Sequence, residues 1–444
     1  MIEDDIYRSS TQYRLWSFTR ESLNSIRAST NAIASDRVRA AHRRARAAAQ
    51  SNTPSATGTP TPNPSDAEVK PEPSPEKEIE CLTPEEELEL VRYYCEQTLE
   101  LGGSYKEPLP TAVRATAIQY LRRFYLTNSV MTYPPKSIMP CALFLATKTE
   151  NYYMSLQKFA AGVPGEPDPD EVIAPEFTLT QGLRFTFDVR HPFRGLEGGV
   201  MELQAIAQGD GKPGPHHPGQ TPESLKRALY SIAPAPSAAA GQQPSSIMDR
   251  IAKAHHSTRE ILKHAAQMTD AYFLYTPSQI WLSALLLADR PLAEFYIGVK
   301  VGPVSEATNV DSTNPLSLLR TKLLTTLEDC AKMLESYKPM SSDPEKMKEL
   351  RRIAKKLRQC QDPEKSNAFG KGRTQKRDPG NAAAAAPGAA AAGEGVSESE
   401  LERAAKKRKL EREQREREAR ELFGGDLVAQ RAKEGTSGEK PPQG

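Results

Sequence analysis

The sequence predicts an all-α protein: two tandem helical bundles, each built around one buried helix. Three observations predict it. The segment after Pro134-Pro135 that ends at Lys148, and the segment TPSQIWLSALLLAD at 276–289, are apolar on nearly every side. Such a helix fits only the centre of a bundle, because an exposed face would leave hydrocarbon in water. The same capping device, Thr83-Pro84-Glu85-Glu86 and Thr276-Pro277-Ser278-Gln279, opens a helix in each half. No alternating strand pattern of any length competes.

A chain of 444 residues allows two or three domains. With 38% hydrophobic residues and 36 prolines, part of it cannot build a core. The net charge of +2 argues neither for nor against nucleic acid. Five scattered cysteines without a C-x-x-C pair point to a reducing, intracellular compartment. The N-terminus MIEDDIYRSS is acidic and lacks an apolar core, so no secretory signal is expected. No run of about 18 apolar residues predicts a membrane span.

In chain order, residues 1–50 are expected to form an N-terminal helical segment. Tyr13, Trp16 and Phe18 lie at the start of a long Ala/Arg-rich helix. Residues 51–78 are Pro/Ser/Thr-rich and predicted to be a disordered linker. The first bundle occupies 79–191. Its first helix runs from the Thr83 box to about Leu101, burying Leu88, Val91, Cys95 and Leu99, and is ended by Gly102-Gly103. An amphipathic second helix starts near Thr111, with Val113, Ala117, Leu121, Phe124 and Tyr125 at helical spacing. The third, from about Pro135 to Thr149, carries Pro140, which should kink it or shift its start. SLQKFAA is a short fourth helix, and Asp170 to Leu183 the fifth. A second unit covers 192–340, interrupted by inserts near 208–246 that are also predicted disordered. Its clear elements are Ile247 to Tyr275, 276–289, PLAEFYI and 315–337. A C-terminal helix is placed at 341–361. Residues 362–444 form a charged, low-complexity tail without an apolar stripe.

Three blocks resemble the cyclin family, and within it the cyclin-H group: YRSSTQYRLWSF near the N-terminus, RRFYLTNSVMTYPPKSIM followed by LFLATK, and TDAYFLYTPSQI. The resemblance covers most of 1–50 and 79–337. It implies two tandem five-helix cyclin-box repeats with an N-terminal helix. It also implies binding to a cyclin-dependent kinase through the first repeat. Lys148 is then the family's box lysine, and the motif match places its partner glutamate at Glu176, beside Pro175. The pair is expected to contact the kinase's regulatory helix and help turn it inward. A kinase is active only when its strand lysine and regulatory-helix glutamate meet, and a partner favours that state only by binding it better than the inactive one. The docking sequence Met-Arg-Ala-Ile-Leu of mitotic cyclins is absent; TAVRAT stands near the equivalent place.

Without these motifs, Lys148 reads as an ordinary lysine at a helix end and Glu176 as an exposed carboxylate. Tyr13 and Trp16 fit a small satellite core better than a docking site. His216-His217 and His255-His256 lack the spacing of a zinc site. Lys406-Lys407-Arg408-Lys409 resembles a nuclear-import patch, although short basic runs also occur in solvated helices. No phosphate loop, nucleophile elbow or kinase signature is present, so no catalytic role and no cofactor are expected. The resemblance implies a nuclear, non-catalytic regulatory subunit of a serine/threonine kinase acting in RNA polymerase II transcription. Its expected partners are a cyclin-dependent kinase, an assembly factor and the core of general transcription factor IIH, with no direct nucleic acid and no membrane. Activation-loop phosphorylation of other cyclin-dependent kinases is a further implied activity. Alternatives are the C, K or T type of transcriptional cyclin, against which the YRSSTQYRLWSF block argues, and a IIB-type factor. The latter would need a zinc ribbon that these cysteines cannot build.

Overall fold

The computed structural model describes residues 2–51, 79–214, 219–233, 246–302 and 315–361. The expectations for the rest of the 51–78 linker, for 215–218 and 234–245, and for the 362–444 tail with Lys406, Lys407, Arg408 and Lys409 lie outside the described residues.

The N-terminal segment comprises α1 (Ile2–Ser9), α2 (Thr11–Trp16) and the long α3 (Arg20–Ser51). The first repeat follows as α4 (Pro84–Ser104), α5 (Thr111–Thr127), α6 (Pro135–Thr149), α7 (Leu156–Ala161), α8 (Pro169–Ile173) and α9 (Glu176–Gly182). The second contains α10 (Phe193–Gln208), α11 (Pro222–Tyr230), α12 (Ile247–Lys263), α13 (Ala265–Met268), α14 (Ala271–Leu274), α15 (Pro277–Ala288), α16 (Arg290–Val301) and α17 (Pro315–Glu335). The chain ends its described course in α18 (Pro344–Gln361).

Helices α6 and α15 are the two buried centres. α6 packs against α4, α5, α8 and α9; α15 packs against α10, α12, α16 and α17. Both capping boxes form, with the threonine hydroxyl accepting from the third-residue amide and the Glu86 or Gln279 side chain accepting from the cap amide. Pro140 does not shift the start of α6, which begins at Pro135.

Five expectations are corrected. The region 208–246 is not all insert: Pro222–Tyr230 forms α11, opened by a Thr221–Ser224 capping box and held on α10 by buried Leu225 and Leu229. Gly102-Gly103 does not end α4; the helix continues through both to Ser104. The glycine there serves close packing, since a Cβ on Gly102 would sit 2.5 Å from Cγ of Arg114. Leu88 and Leu99 are only half-buried, and Leu90 and Leu101 fill the core instead. The single fifth helix is two, α8 and α9, broken at Ala174-Pro175 because proline offers no amide to continue the ladder. The stretch Ile247–Tyr275 is three helices, broken at His264 and again at Thr269-Asp270.

The largest departure is α5, expected to be amphipathic. It is buried on all sides, including Thr116, Gln119, Arg122 and Arg123. Its polar face meets the N-terminal segment, the 184–191 turn and the second repeat. Arg122 donates to the Met268 carbonyl at 2.9 Å and to Asp270 at 2.6 Å. Arg27 of α3 forks onto both oxygens of the same carboxylate at 2.9 and 2.6 Å. Arg123 donates to the Asp188 carbonyl and to Gln12, both at 3.2 Å. Buried charge is tolerated here because it is paired and hydrogen-bonded.

A buried hydrogen-bond chain also joins the repeats. Thr116 donates to Glu150 at 2.6 Å, so its oxygen can accept from Nε2 of His191 at 2.8 Å. Nδ1 of His191 then accepts from the Tyr272 hydroxyl at 2.9 Å. That hydroxyl accepts from Gln267 at 2.7 Å, and Gln267 accepts from Gln119 at 2.9 Å. The assigned directions require a neutral imidazole. Burial, helped by the nearby Arg123 charge, lowers His191 to about 3 and keeps it neutral.

α18 clips onto α4. Lys356 and Arg352 hold Glu86 at 2.8 and 2.9 Å. In α10, Gly195 and Gly199 leave a trough for the Trp281 indole; a Cβ at either would lie 2.6 Å from it.

Candidate functional site

The last turn of α6 is where the buried run of that helix reaches the surface. Residues 140–147 are buried, and Lys148 is the first side chain to emerge, 44% exposed. Its ammonium lies 5.0 Å from the ring centroid of Phe144, one turn back, and pairs with Oε1 of Glu176. Glu176 is the first residue of α9. The break at Pro175 therefore supplies the site: it creates a helix N-terminus at the glutamate. The lysine sits at a helix C-terminus and the carboxylate at an N-terminus, each at the end that favours its charge.

The chain beyond Lys148 is fixed by a local motif. Asn151 adopts a left-handed conformation (φ 56°), Tyr152 donates back to the Thr147 carbonyl at 2.8 Å, and Asn151 to that of Lys148 at 3.4 Å. This closes the orphan carbonyls of α6 as a Schellman motif. It leaves Tyr153 93% exposed. Phe177, next to Glu176, and Phe185, just past α9, are 63% and 62% exposed. Arg184 and Phe185 both have positive φ, 53° and 54°, a strained arrangement for non-glycine residues.

The N-terminal block holds that turn. Trp16 is buried with Leu23, Leu126 and Phe273 in a satellite core. Its indole donates to Oγ1 of Thr186 at 2.9 Å, and the Arg184 and Arg123 guanidinium groups each lie 5.3 Å from its ring. The satellite-core expectation thus holds for Trp16. Tyr13 is exposed and makes an edge contact with Tyr7.

The structure brings Lys148 and Glu176 together as the motifs indicated. Sequence reasoning missed Tyr153, Phe177 and Phe185. The signal available was aromatic residues in segments that leave helices whose core positions were already filled. A charged pair with exposed Phe177 beside Glu176 in the chain, and exposed Tyr153 just past α6, offers both charge and apolar area to a protein partner. Nothing among the described residues groups three or more metal-ligating side chains, and no described helix is long and apolar enough to cross a membrane.

Two helical repeats, each around a buried central helix, define a tandem helical-bundle fold. Residues 104–188 match the cyclin N-terminal domain and residues 191–335 the cyclin C-terminal domain. Cyclin mcs2 of Schizosaccharomyces pombe is 30% identical over 324 residues, spanning 72% of this chain and 82% of its own length. Cyclin CCL1 of Saccharomyces cerevisiae is 30% identical over 298 residues, spanning 67% of this chain but only 62% of its own. A chain in the structure of the CAK complex from Chaetomium thermophilum bound to ATP-γ-S is 32% identical, with a TM-score of 0.56. That match covers 86% of this chain and all of the other. The chain belongs to the cyclin family.

Proposed function

We propose that this protein is the regulatory cyclin subunit of a cyclin-dependent serine/threonine kinase module acting in RNA polymerase II transcription, of the general transcription factor IIH type. It supplies no catalytic group. It works in the nucleus, and its partners are the kinase, an assembly factor and the core of factor IIH. The relationship to mcs2, CCL1 and the CAK-complex chain supports the class of partner.

The observation that carries the reading is the Lys148–Glu176 pair, held at two helix ends, with exposed Phe177 next to Glu176 in the chain and exposed Tyr153 just past α6. An ammonium with three donors, of which Glu176 takes one, keeps donors for backbone carbonyls of a partner helix. Exposed Phe177 and Tyr153 supply apolar area for a partner to bury. The Schellman motif fixes the backbone just beyond Lys148, and the site activates the kinase by binding its active conformation better than the inactive one.

The test is reconstitution. The tagged chain is used to recover partners for mass spectrometry, and the purified chain is mixed with the recovered kinase. A cyclin-dependent kinase is expected, inert alone and active on polymerase C-terminal-repeat peptide when mixed. Nucleotide binding or phosphate transfer by the isolated chain would overturn the reading, as would recovery of partners lacking a kinase.

A further inference from the structure

Two cysteines far apart in sequence lie close together beside the start of the first repeat. Cys81 lies just before the Thr83 cap of α4, half-buried, with Sγ 3.8 Å from the Ser35 carbonyl of α3. Cys360 lies in the last turn of α18, buried, with Sγ 3.8 Å from the carbonyl of Glu80, the residue preceding Cys81. The Cys360 sulfur thus lies against the backbone just before Cys81, and the Cys81 thiol is near enough to add to the rise of the Cys360 thiol. Cys95, Cys141 and Cys330 sit elsewhere, in the cores of α4, α6 and α17.

We propose that Cys81 and Cys360 form a reversible disulfide, an oxidation-sensitive staple that locks α18 onto the first repeat. The oxidant is a low-molecular-weight disulfide such as glutathione disulfide. The thiolate of Cys81, the more accessible sulfur, attacks it, forming a mixed disulfide and releasing one glutathione. The Cys360 thiolate then attacks the Cys81 sulfur, breaking the mixed disulfide and expelling the second glutathione. Two protein thiols and one glutathione disulfide become one protein disulfide and two glutathione thiols, which carry away both protons.

The surroundings suit a slow, regulated step. Burial raises the Cys360 thiol to about 12, while the neighbouring Lys356 ammonium favours its thiolate. Cys81 therefore reacts first and Cys360 resolves. The bond would close a loop spanning nearly the whole folded chain, where a cross-link constrains the unfolded state most. It would reinforce contacts already present: Lys356 and Arg352 on Glu86, and the Gln361 amide on the Val130 carbonyl at 2.9 Å. Small apolar residues would fill the same space equally well, so the redox outcome is what separates a staple from simple packing.

The test is to hold the full-length chain in glutathione buffers of rising oxidised fraction, digest it without reduction and map the peptides. The expected result is one linked pair containing Cys81 and Cys360, lighter by two hydrogens than the separate peptides and cleaved by reductant. The oxidised chain should show a Tm several degrees higher. Cys81→Ser and Cys360→Ser, which keep the size of the side chain, should each abolish both changes. Glutathione retained on Cys81 without the linked pair would overturn the proposal. A linked pair with a lowered Tm would overturn the staple.

Discussion

At the scale of single residues, Lys148 and Asp270 separate binding from folding. Both partners of the Lys148–Glu176 pair are partly exposed, so in the free protein the pair contributes only about 0–1 kcal/mol. Under a kinase helix water is excluded, and removing one partner should cost about 2–5 kcal/mol of binding. Lys148→Ala should therefore weaken kinase binding and activation strongly while leaving the melting temperature nearly unchanged. Glu176→Ala should do the same more weakly, and the double variant should lose less than the sum; titration calorimetry with paired melting curves measures all three. If Lys148→Ala instead unfolds the free chain, the lysine is structural. Asp270 should behave in the opposite way. Burial would raise its carboxyl, but the Arg27 hydrogen bonds and the Arg122 and Arg27 charges outweigh it and hold it at about 2, below the ordinary 3.8. A depressed acid contributes its stability fully above about pH 4 and loses it as pH falls toward 2, in all about 2 kcal/mol. Glu87 and Glu96, raised chiefly by burial, have the opposite sign and favour the fold on acidification. Asp270→Asn should cost about 3 kcal/mol at neutral pH by stranding Arg122, and should flatten the loss of stability between pH 4 and 2. Urea melts across that range measure it.

At the scale of elements, two contacts carry more than their helices' patterns suggest. The trough of Gly195 and Gly199 lets α10 close on Trp281. Gly199→Leu should cost about 1–3 kcal/mol through overpacking, despite the better helix propensity of leucine. A gain in Tm would show that the indole can move aside. The N-terminal block is the second. Trp16→Ala removes a fully buried indole and should cost about 3–5 kcal/mol. Because Trp16 holds Thr186 and Arg184, the same variant should loosen the turn that presents Phe185. Kinase affinity should then fall even at temperatures where the chain remains folded. Affinity unchanged below the melting range would separate the satellite core from the contact face.

At the scale of the whole molecule, the two repeats behave as one body because α5 is shared between them. Its Arg122 and Gln119 bond across to 267–270, and its Thr116 joins the chain through His191 and Tyr272. Either repeat expressed alone would expose these groups to water while leaving the facing apolar surface uncovered. The tail is a different case. Residues 362–444 carry no apolar stripe in sequence and offer little area to bury. Ending the chain at Gln361 should leave kinase affinity within about threefold, which is under about 1 kcal/mol. A tenfold loss in a direct binding assay would show that the tail docks.

The sequence by itself determined the all-helical class, both central helices, both threonine capping boxes, the start of α5 and the extent of α6. Each follows from apolar spacing or a cap within a few residues, which are local properties of the chain. It also brought forward Lys148 and Glu176, through motifs that surround them. Only the tertiary structure decided what becomes of polar side chains on a helix face. Arg122, Arg123 and Gln119 gave the spacing of an amphipathic helix, yet their partners, Gln12, Arg27's carboxylate Asp270, Asp188 and Gln267, lie far along the chain, where helical period says nothing. Pro175 stood beside Glu176 in the sequence of the fifth helix. That it creates the N-terminus from which Glu176 meets Lys148 became evident only with α6 and α9 packed side by side. Burial of charge depends on which distant group arrives to pair with it, and that is settled by packing, not by pattern.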